Sequence, residues 1–512
     1  MSLLRIRRAN AIIVAMRSSY VACACALAAC RFVIPLPDKL LVIPDGPVQL
    51  GLSGHQPLAH EEITGAFAGD RYVWFDAFGT RRTIALVKND QPDPFGTNGG
   101  YLREATYLMP DGSERLTRGT GESGWNGFGY VVNHFRGQSD NSRSKLGATR
   151  VVFAGRHHAI HEFKVQMQPG GAVDTTIHWL VATGKSHPIY SITFDSSPAG
   201  DNVVLADARA PYGDYAFEGV AAGTGALSGL GWGDRYLFRT VSGAPVSMQT
   251  RWDYALANRV PHVLEWSEPN DAEMGIVQTQ TFEAHPAGGD YGGISACAKL
   301  TSDSRDSACS DPGEVMPARW LWPFQLTQYT FDSPVSRRIA WGMSYGSVGR
   351  SFVTTFGQPH SGYPFQSYAM QIVLDAHTRD PVNAAVVDTE RIADSKLRAI
   401  LGRVPTTGLG GVAREDEVNL TPAGYNHVYG TWLFAMENGV AEVNLTLATG
   451  ELNNPVFQLS GYTKTTPPSS VTWQGQALAA DRDYFASVDP ATQTLWLTIN
   501  GTFSGQNTLH VE

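Results

Sequence analysis

Charge is scarce in this sequence. Asp, Glu, Lys and Arg make up 17% of the 512 residues, and acids outnumber bases to leave a net charge of −9. A chain this poor in cations offers no basic field for nucleic acid or for an anionic membrane, so neither is the expected main partner. The 43% hydrophobic share excludes the disordered class. Cysteine is scarcer still: there are five, and Cys23, Cys25 and Cys30 fall within the first 30 residues. The other two, Cys297 and Cys309, bracket the polar stretch AKLTSDSRDSA and are read as one disulfide closing that loop, which suits an oxidising compartment. Two cysteines are too few for a thiolate metal site of their own. After residue 30 no apolar run approaches the roughly 20 residues that span a bilayer. Long helical periodicities are nearly absent as well.

What is present begins with an export signal. Arg5, Arg7, Arg8 and Arg17 precede or flank apolar runs, and VACACALAAC ends in small residues. Leu27 to Cys30 fits the lipobox of bacterial lipoproteins, which makes Cys30 a candidate for lipidation, while Ala26-Leu27-Ala28 fits the cleavage rule for soluble secretion equally well. The expected location is periplasmic, secreted or on the outer surface of a bacterium. Removal of residues 1–30 takes four arginines and no acids, lowering the net charge from −9 to −13.

The 53 Gly, 29 Pro and 12 Trp suggest many turns and aromatic surfaces, and alternating stretches dominate, so the fold class is read as all-β. A chain of this length holds more than one core. The division expected is a large antiparallel β-sandwich over 31–390, a linker over 391–415 and a smaller immunoglobulin-like β-sandwich over 416–512. The clearest strands follow one another: HEFKVQMQ, the turn PGG, VDTTIHWLVAT, the turn GKSHP, then IYSITFD. Phe163, Val165 and Met167 share one face, as do Ile177, Trp179 and Val181, and Tyr190, Ile192 and Phe194. The stretch 383–401 mixes helix-like and strand-like pattern. Beyond it, Val443, Leu445 and Leu447 alternate with polar residues, and so do Leu495, Leu497 and Ile499.

GRHHAIHEF (155–163) raises the question of a metal site. On a helix, His157 and His161 would stand one turn apart, the separation zinc proteases use. On a strand they stand roughly 13 Å apart, whereas two ligands of one zinc lie within about 4 Å of each other. The strand reading therefore excludes a shared zinc and makes these satisfied, partly buried histidines, with His157 on the face of Phe163.

NPVFQLSGYT, VTWQGQALAADRDYFAS and TLWLTING together resemble the small β-sandwich that often closes secreted polysaccharide-degrading enzymes. The long meander before them is similar in style to the supersandwich of galactose-mutarotase-like and polysaccharide-lyase domains. The likeness is one of pattern, matches no family's catalytic motif, and carries over no functional residue.

The densest polar and aromatic segment, ADARAPYGDYAFEG (206–219), reads as a Pro-Gly loop holding Asp207, Arg209, Tyr212, Asp214, Tyr215 and Glu218. Hydrolysis of a glycan needs a proton donor, a second carboxylate across the scissile bond, and rings that stack on sugar faces. Asp214 and Glu218, with Asp207, are the expected catalytic carboxylates, and Arg209 and Tyr212 bind substrate. Two further clusters put Trp beside Asp and Arg: Trp232, Asp234 and Arg235, then Trp252 and Asp253, followed by Glu265 and Trp266. They are expected to line the same cleft. His134 and Arg136 add an alternative. With Arg209 and Tyr212 they suit a lyase that removes the proton beside a uronic carboxylate. The reading is thus an exported carbohydrate-active enzyme on a poly- or oligosaccharide. Hydrolysis comes first, β-elimination second, and a non-catalytic glycan-binding or cell-surface protein is the rival from another class.

GMSYG (342–346) is formally a nucleophile-elbow pattern, but no helical periodicity follows it. No cofactor is expected. The acidic loop DSRDSACSDPGE is a candidate for structural calcium without EF-hand spacing. Oligomeric state is not legible.

Overall fold

A computed structural model describes residues 41–42, 56–88 (save 66), 100–108, 114–118, 128–135, 138–141, 147–167, 173–195, 197–198, 207–217, 228–234, 237–242, 251–252, 260, 262–281, 298–299, 326–327, 339–346 and 365–512. Cys30, Cys297 and Cys309 fall outside them, as do the segments on which export and calcium were read. Among the described residues, no helix is long and apolar enough to cross a membrane.

The architecture is all-β. The expected meander forms as read: His158–Met167, Val173–Ala182 and Ile189–Asp195 pair antiparallel, with His161 opposite Trp179 and Trp179 opposite Tyr190. Ala148–Ala154 extends this sheet on one side; Phe365–Asp375, Ala272–Gln278, His262–Ser267, Gly229–Asp234 and Leu237–Ser242 extend it on the other, giving nine strands. An eleven-stranded sheet faces it. Its path runs from Leu41–Val42 through Ala59–Ile63, Gly69–Phe75, Arg81–Val87, Leu102–Leu108 and Glu114–Arg118 to Asp207–Phe217, Ile339–Gly346 and Leu326–Thr327.

Period-two alternation fixes which side chains meet between the sheets. Phe163, Ile177, Trp179, Tyr190, Ile192 and Phe194 all point inward and are buried. Full burial of an aliphatic or Phe side chain contributes about 1.5–3 kcal/mol. Polar tips are satisfied across the gap: Trp179 Nε1 donates to Gly100 O at 3.1 Å, and Tyr368 Oη donates to Ala210 O at 2.8 Å. Buried Arg82 donates to Asp76 at 2.9 Å and to Asp375 at 2.5 Å, joining a turn of one sheet to the end of a strand in the other.

After Phe365–Asp375 the chain forms the helix Pro381–Ala393, then turns straight into the strand Ser395–Leu401. This matches the mixed pattern read at 383–401. It corrects the linker. Ser395–Leu401 pairs with Ala441–Asn453 inside the C-terminal sandwich, and Thr407–Gly411 pairs with Arg414–Asn419 as a hairpin laid against the large sheet. The glycines that suggested a linker are there for close approach. A Cβ on Gly411 would lie 2.0 Å from Ser367 Oγ and 2.4 Å from Thr193 Oγ1.

The C-terminal sandwich has two five-stranded sheets. Val443, Leu445, Leu447, Leu495, Leu497 and Ile499 fill its core together with Trp432, Phe434 and Phe457, as the alternation predicts. Residues 41–512 form one compact unit.

Candidate functional site

Beside the C-terminal sandwich the outer face of the nine-stranded sheet is polar, yet it is not left to water. Backbone N–H of His157 donates to Ser487 Oγ at 2.7 Å; His158 bonds Ser487 through Nδ1 (3.0 Å) and Thr498 through Nε2 (2.9 Å). His157 Nε2 donates to Asp481 Oδ1 at 2.7 Å, and Arg156 donates to both carboxylate oxygens of Asp481. Burial pulls the Asp481 carboxyl up, but the bonds from His157 and Arg156 prevail and hold it at about 2. Further along, Glu162 accepts from Arg150 at 2.5 Å and pairs with His178, which reaches Tyr429 Oη at 2.7 Å. The histidine-rich stretch is therefore a docking seam between the two sandwiches.

Two details of the sequence reading change. These histidines are buried outright. His157 stands one residue before the strand, and the turn closed by Gly155 N–H to His158 O breaks the alternation there, so it turns to the C-terminal sandwich. His161 alone points inward, sharing a 3.0 Å hydrogen bond between its Nδ1 and Tyr72 Oη.

A cleft of about 630 Å³ opens at one end of this seam, within the range of small-molecule sites. Three parts of the chain build it. The turn after Val173–Ala182 brings Lys185 and His187; the end of Phe365–Asp375 and the helix bring Asp375, Arg379 and Asp388; two turns of the C-terminal sandwich bring Asn453, Asn454 and Asn500. Gly184 lets the first turn approach. At φ +89°, a Cβ there would meet Thr498 Cγ2 at 2.9 Å and the Phe485 ring at 3.1 Å.

Phe78 stands at the lip with 79% of its surface exposed. It is held there by Asp76, whose Oδ1 accepts from the backbone N–H of Phe78 (2.9 Å) and of Thr80 (3.0 Å). An exposed ring on a fixed turn is a stacking platform.

Inside, the titratable groups divide into committed and uncommitted. Asp375 accepts from Arg82, from Arg379 Nη1 at 3.3 Å and from Ala376 N–H at 2.7 Å. His187 is pushed to about 3, first by burial and then by the charges of Arg82 and Lys185. Its Nδ1 faces the Leu374 N–H at 3.5 Å. Lys185 and Asp388 are joined through one residue: Lys185 Nζ donates to Asn453 O at 3.3 Å, and Asn453 Nδ2 donates to Asp388 Oδ1 at 3.2 Å. Burial lowers the Lys185 ammonium against the pull of Asp388, and burial raises the Asp388 carboxyl against Lys185 and Asn453. Among the described residues no group of three His, Cys, Asp or Glu could hold a metal ion.

Among the described residues, none of those expected to act lines this cleft. The segment read as a loop at 206–219 is the strand Asp207–Phe217, paired on both sides. Pro211 and Gly213 lie at and just after a bulge between Arg209 and Tyr212, which accommodates them without a loop. Register sets Asp207 opposite His134, Arg209 opposite Val132, Tyr212 opposite Tyr130, and Asp214 opposite Ala340. The fold thus brings Asp207 and His134 together as neighbours. The strand lies four places from Gly69–Phe75 in its sheet, roughly 19 Å away at about 4.8 Å per strand. Trp232 and Asp234 belong to the other sheet, and Trp252 to a two-residue strand opposite Ala298. Glu218, Arg235, Asp253 and Arg136 lie outside the described residues.

Trp266 and Glu265 are not cleft residues. Trp266 stacks on His377 at 5.4 Å and is buried in the cluster with Val382 and Val386 of the helix. Glu265 points between the sheets, where among the described residues neither of its oxygens has a hydrogen-bond partner, and burial raises its carboxyl well up. Ser344 of the GMSYG pattern sits mid-strand, opposite Arg209, so that pattern is no strand-to-helix elbow.

No family model matches the chain. No curated protein matches it either. Among solved structures it is similar to the crystal structure of the GalM/aldose epimerase homologue from C. elegans, at 10% identity and a TM-score of 0.27, over 58% of this chain and 96% of that one.

Proposed function

We propose that this protein is an exported enzyme that binds a poly- or oligosaccharide in the cleft beneath Phe78 and cleaves it. The observation that carries the reading is the cleft's lining: an exposed ring at the lip, with Asn454, Asn500, Arg379, Lys185 and Asp388 around it. Sugars present flat C–H faces to rings and hydroxyls to planar amide, guanidinium and carboxyl groups. A cleft rich in amides with charges of both signs suits that ligand better than an apolar one.

Hydrolysis through Asp214 and Glu218, with Asp207, as acid and base or nucleophile would be the chemistry of a separate surface, because the strand Asp207–Phe217 lies roughly 19 Å from Gly69–Phe75, the strand that leads into Phe78. Arg209, Tyr212, Trp232, Asp234, Arg235, Trp252 and Asp253 would then be the substrate-binding residues of that surface and not of the cleft. Elimination would draw on a base and on a cation for the uronate carboxylate.

The test is the mature protein on neutral and uronic-acid polysaccharides, following new reducing ends and the ultraviolet absorbance of an unsaturated uronyl end in the same samples. Either product that falls at least tenfold in Phe78→Ala supports the cleft. Binding without product on the whole panel would make this a glycan-binding protein. Neither binding nor product would end the carbohydrate reading.

A further inference from the structure

We propose that Lys185 and Asp388 are the base and the acid of a β-elimination in this cleft, acting on a uronic-acid polymer whose carboxylate is held by Arg379. This rests on the glycan-cleaving reading above and specifies its reaction.

Asp375 is spent on Arg82, Arg379 and a backbone N–H. His187 is neutral and packed against a backbone N–H. A hydrolytic carboxylate pair is therefore not available within the cleft, where Asp388 stands as the remaining lining carboxyl. Beside it is an amine, not a second acid. Asn453 lies between the two, its carbonyl on Lys185 and its side-chain amide on Asp388. Thr502 donates in turn to Asn453 Oδ1 at 2.7 Å and fixes that amide's orientation. The base comes from the large sandwich, the acid from the helix, and the spacer from the C-terminal sandwich.

Charge supports the roles. Burial favours the neutral amine at Lys185 and the protonated acid at Asp388. Two groups displaced in opposite directions, each towards the form its task needs, are the pattern of an acid–base pair. Arg379, 28% exposed at the mouth, makes a 3.3 Å bond to Asp375 and carries five N–H donors in a planar fork that matches a carboxylate.

The step balances without water or a redox partner. The Lys185 amine takes the proton from the sugar carbon next to the carboxylate. The electron pair left behind forms a carbon–carbon double bond, the neighbouring C–O bond breaks, and Asp388 protonates the departing oxygen. Lys185 ends as ammonium and Asp388 as carboxylate, and exchange with solvent resets both.

The test uses the full mature chain on polygalacturonate, alginate and hyaluronan, in water and in deuterium oxide. Lys185→Arg keeps the charge and a donor for Asn453 O but cannot serve as base. It is expected to lose roughly 10²–10⁴-fold in kcat with an unchanged melting temperature. Asp388→Asn is expected to lose cleavage to a similar degree yet still exchange the substrate's C–H for deuterium, whereas Lys185→Arg loses both. Should Lys185→Arg fold poorly, Lys185→Ala assayed with added methylamine takes its place, and rescue by the free amine is the expected result. Full activity in Lys185→Arg, or no rescue of a folded Lys185→Ala, overturns the assignment. Reducing ends without unsaturated product overturn elimination and leave the glycan-cleaving reading standing. No product and no binding on any glycan ends both.

Discussion

Where the C-terminal sandwich covers the nine-stranded sheet, both of its faces are buried and are built from opposite materials; where the helix Pro381–Ala393 covers it, the outer face is apolar too. Inward lie Phe163, Ile177, Trp179, Tyr190, Ile192 and Phe194; outward lie His158, Glu162, His178, Ser191, Thr193 and Ser367. The first face gains from the area it removes from water and tolerates imprecise neighbours. The second gains little from area, because each polar group it buries must find a partner or cost about 1–3 kcal/mol. It is held by matching: His157 and Arg156 to Asp481, His158 to Ser487 and Thr498, Ser191 Oγ to Val428 O, Thr279 Oγ1 to His427 O. A small apolar strip with Ile160, Leu180, Ile189 and Trp496 runs through it. An area-driven face fixes that two layers pack, while a matched polar face fixes the register in which the second sandwich sits. Register is what a cleft made from both sandwiches requires.

The largest effect should come from the inner face. Trp179→Ala removes a buried indole and leaves Gly100 O unpaired. It is expected to cost about 3–5 kcal/mol, read as a lower denaturant midpoint for the whole unit. Asp481→Ala attacks the outer face. It removes the carboxylate that Arg156 and His157 share, and about 2–3 kcal/mol is expected from losing charged hydrogen bonds. The loss should be sensed chiefly by probes of the C-terminal sandwich. If both variants move every probe together, the contrast between the faces is wrong.

Acid should probe the carboxylates of the outer face next. Asp481 and Glu162 are both held at about 2, against usual values of 3.8 and 4.5. A depressed carboxylate stabilises the fold above its unfolded value, and that contribution disappears as pH falls through the folded value. The docking seam should therefore weaken between about pH 4.5 and pH 2, and Asp481→Asn should flatten that limb. Histidines of both faces work at higher pH, since burial lowers His161 inward and His158, His178 and His427 outward; His161 shows the sign. Burial pushes it down to about 4, so the folded state refuses a proton that the unfolded chain accepts below 6.5. Its cost grows as pH falls from 6.5 to 4 and then levels off. Thermal melts from pH 7 to pH 2 would resolve the two limbs. The smallest effect expected is that of Ser191→Ala, about 1 kcal/mol, from the bond to Val428 O.

Much of the fold was legible because period-two patterning is local. The meander from His158 to Asp195, the change from helix to strand near 393–395 and the inward faces of Val443–Leu447 and Leu495–Ile499 all follow from residues within one strand length. The use of the polar faces was not legible. A strand reading HAIHEF has one polar face, and local pattern cannot say whether water or a second domain covers it. Nor could the cleft be read. Lys185 and His187 sit in GKSHP, Asn453 and Asn454 in NNP, Asn500 in NGT, and each stretch is sufficiently explained as a turn. What sets them apart is that three such turns meet, which is a property of the docking and not of any segment. Carboxylates beside aromatic residues mark strands such as Asp207–Phe217 and His262–Ser267 instead, and there Trp266 supports the helix.

Because Lys185, Asp388 and Asn453 come from three stretches some 65 to 268 positions apart, the chain leaving a ribosome carries no assembled cleft until its C-terminal sandwich has emerged and docked on the large sheet. The residues that line the cleft are all present before the cleft is. A proteolytic cut that lets the end domain swing away would return the chain to that state even with every side chain intact.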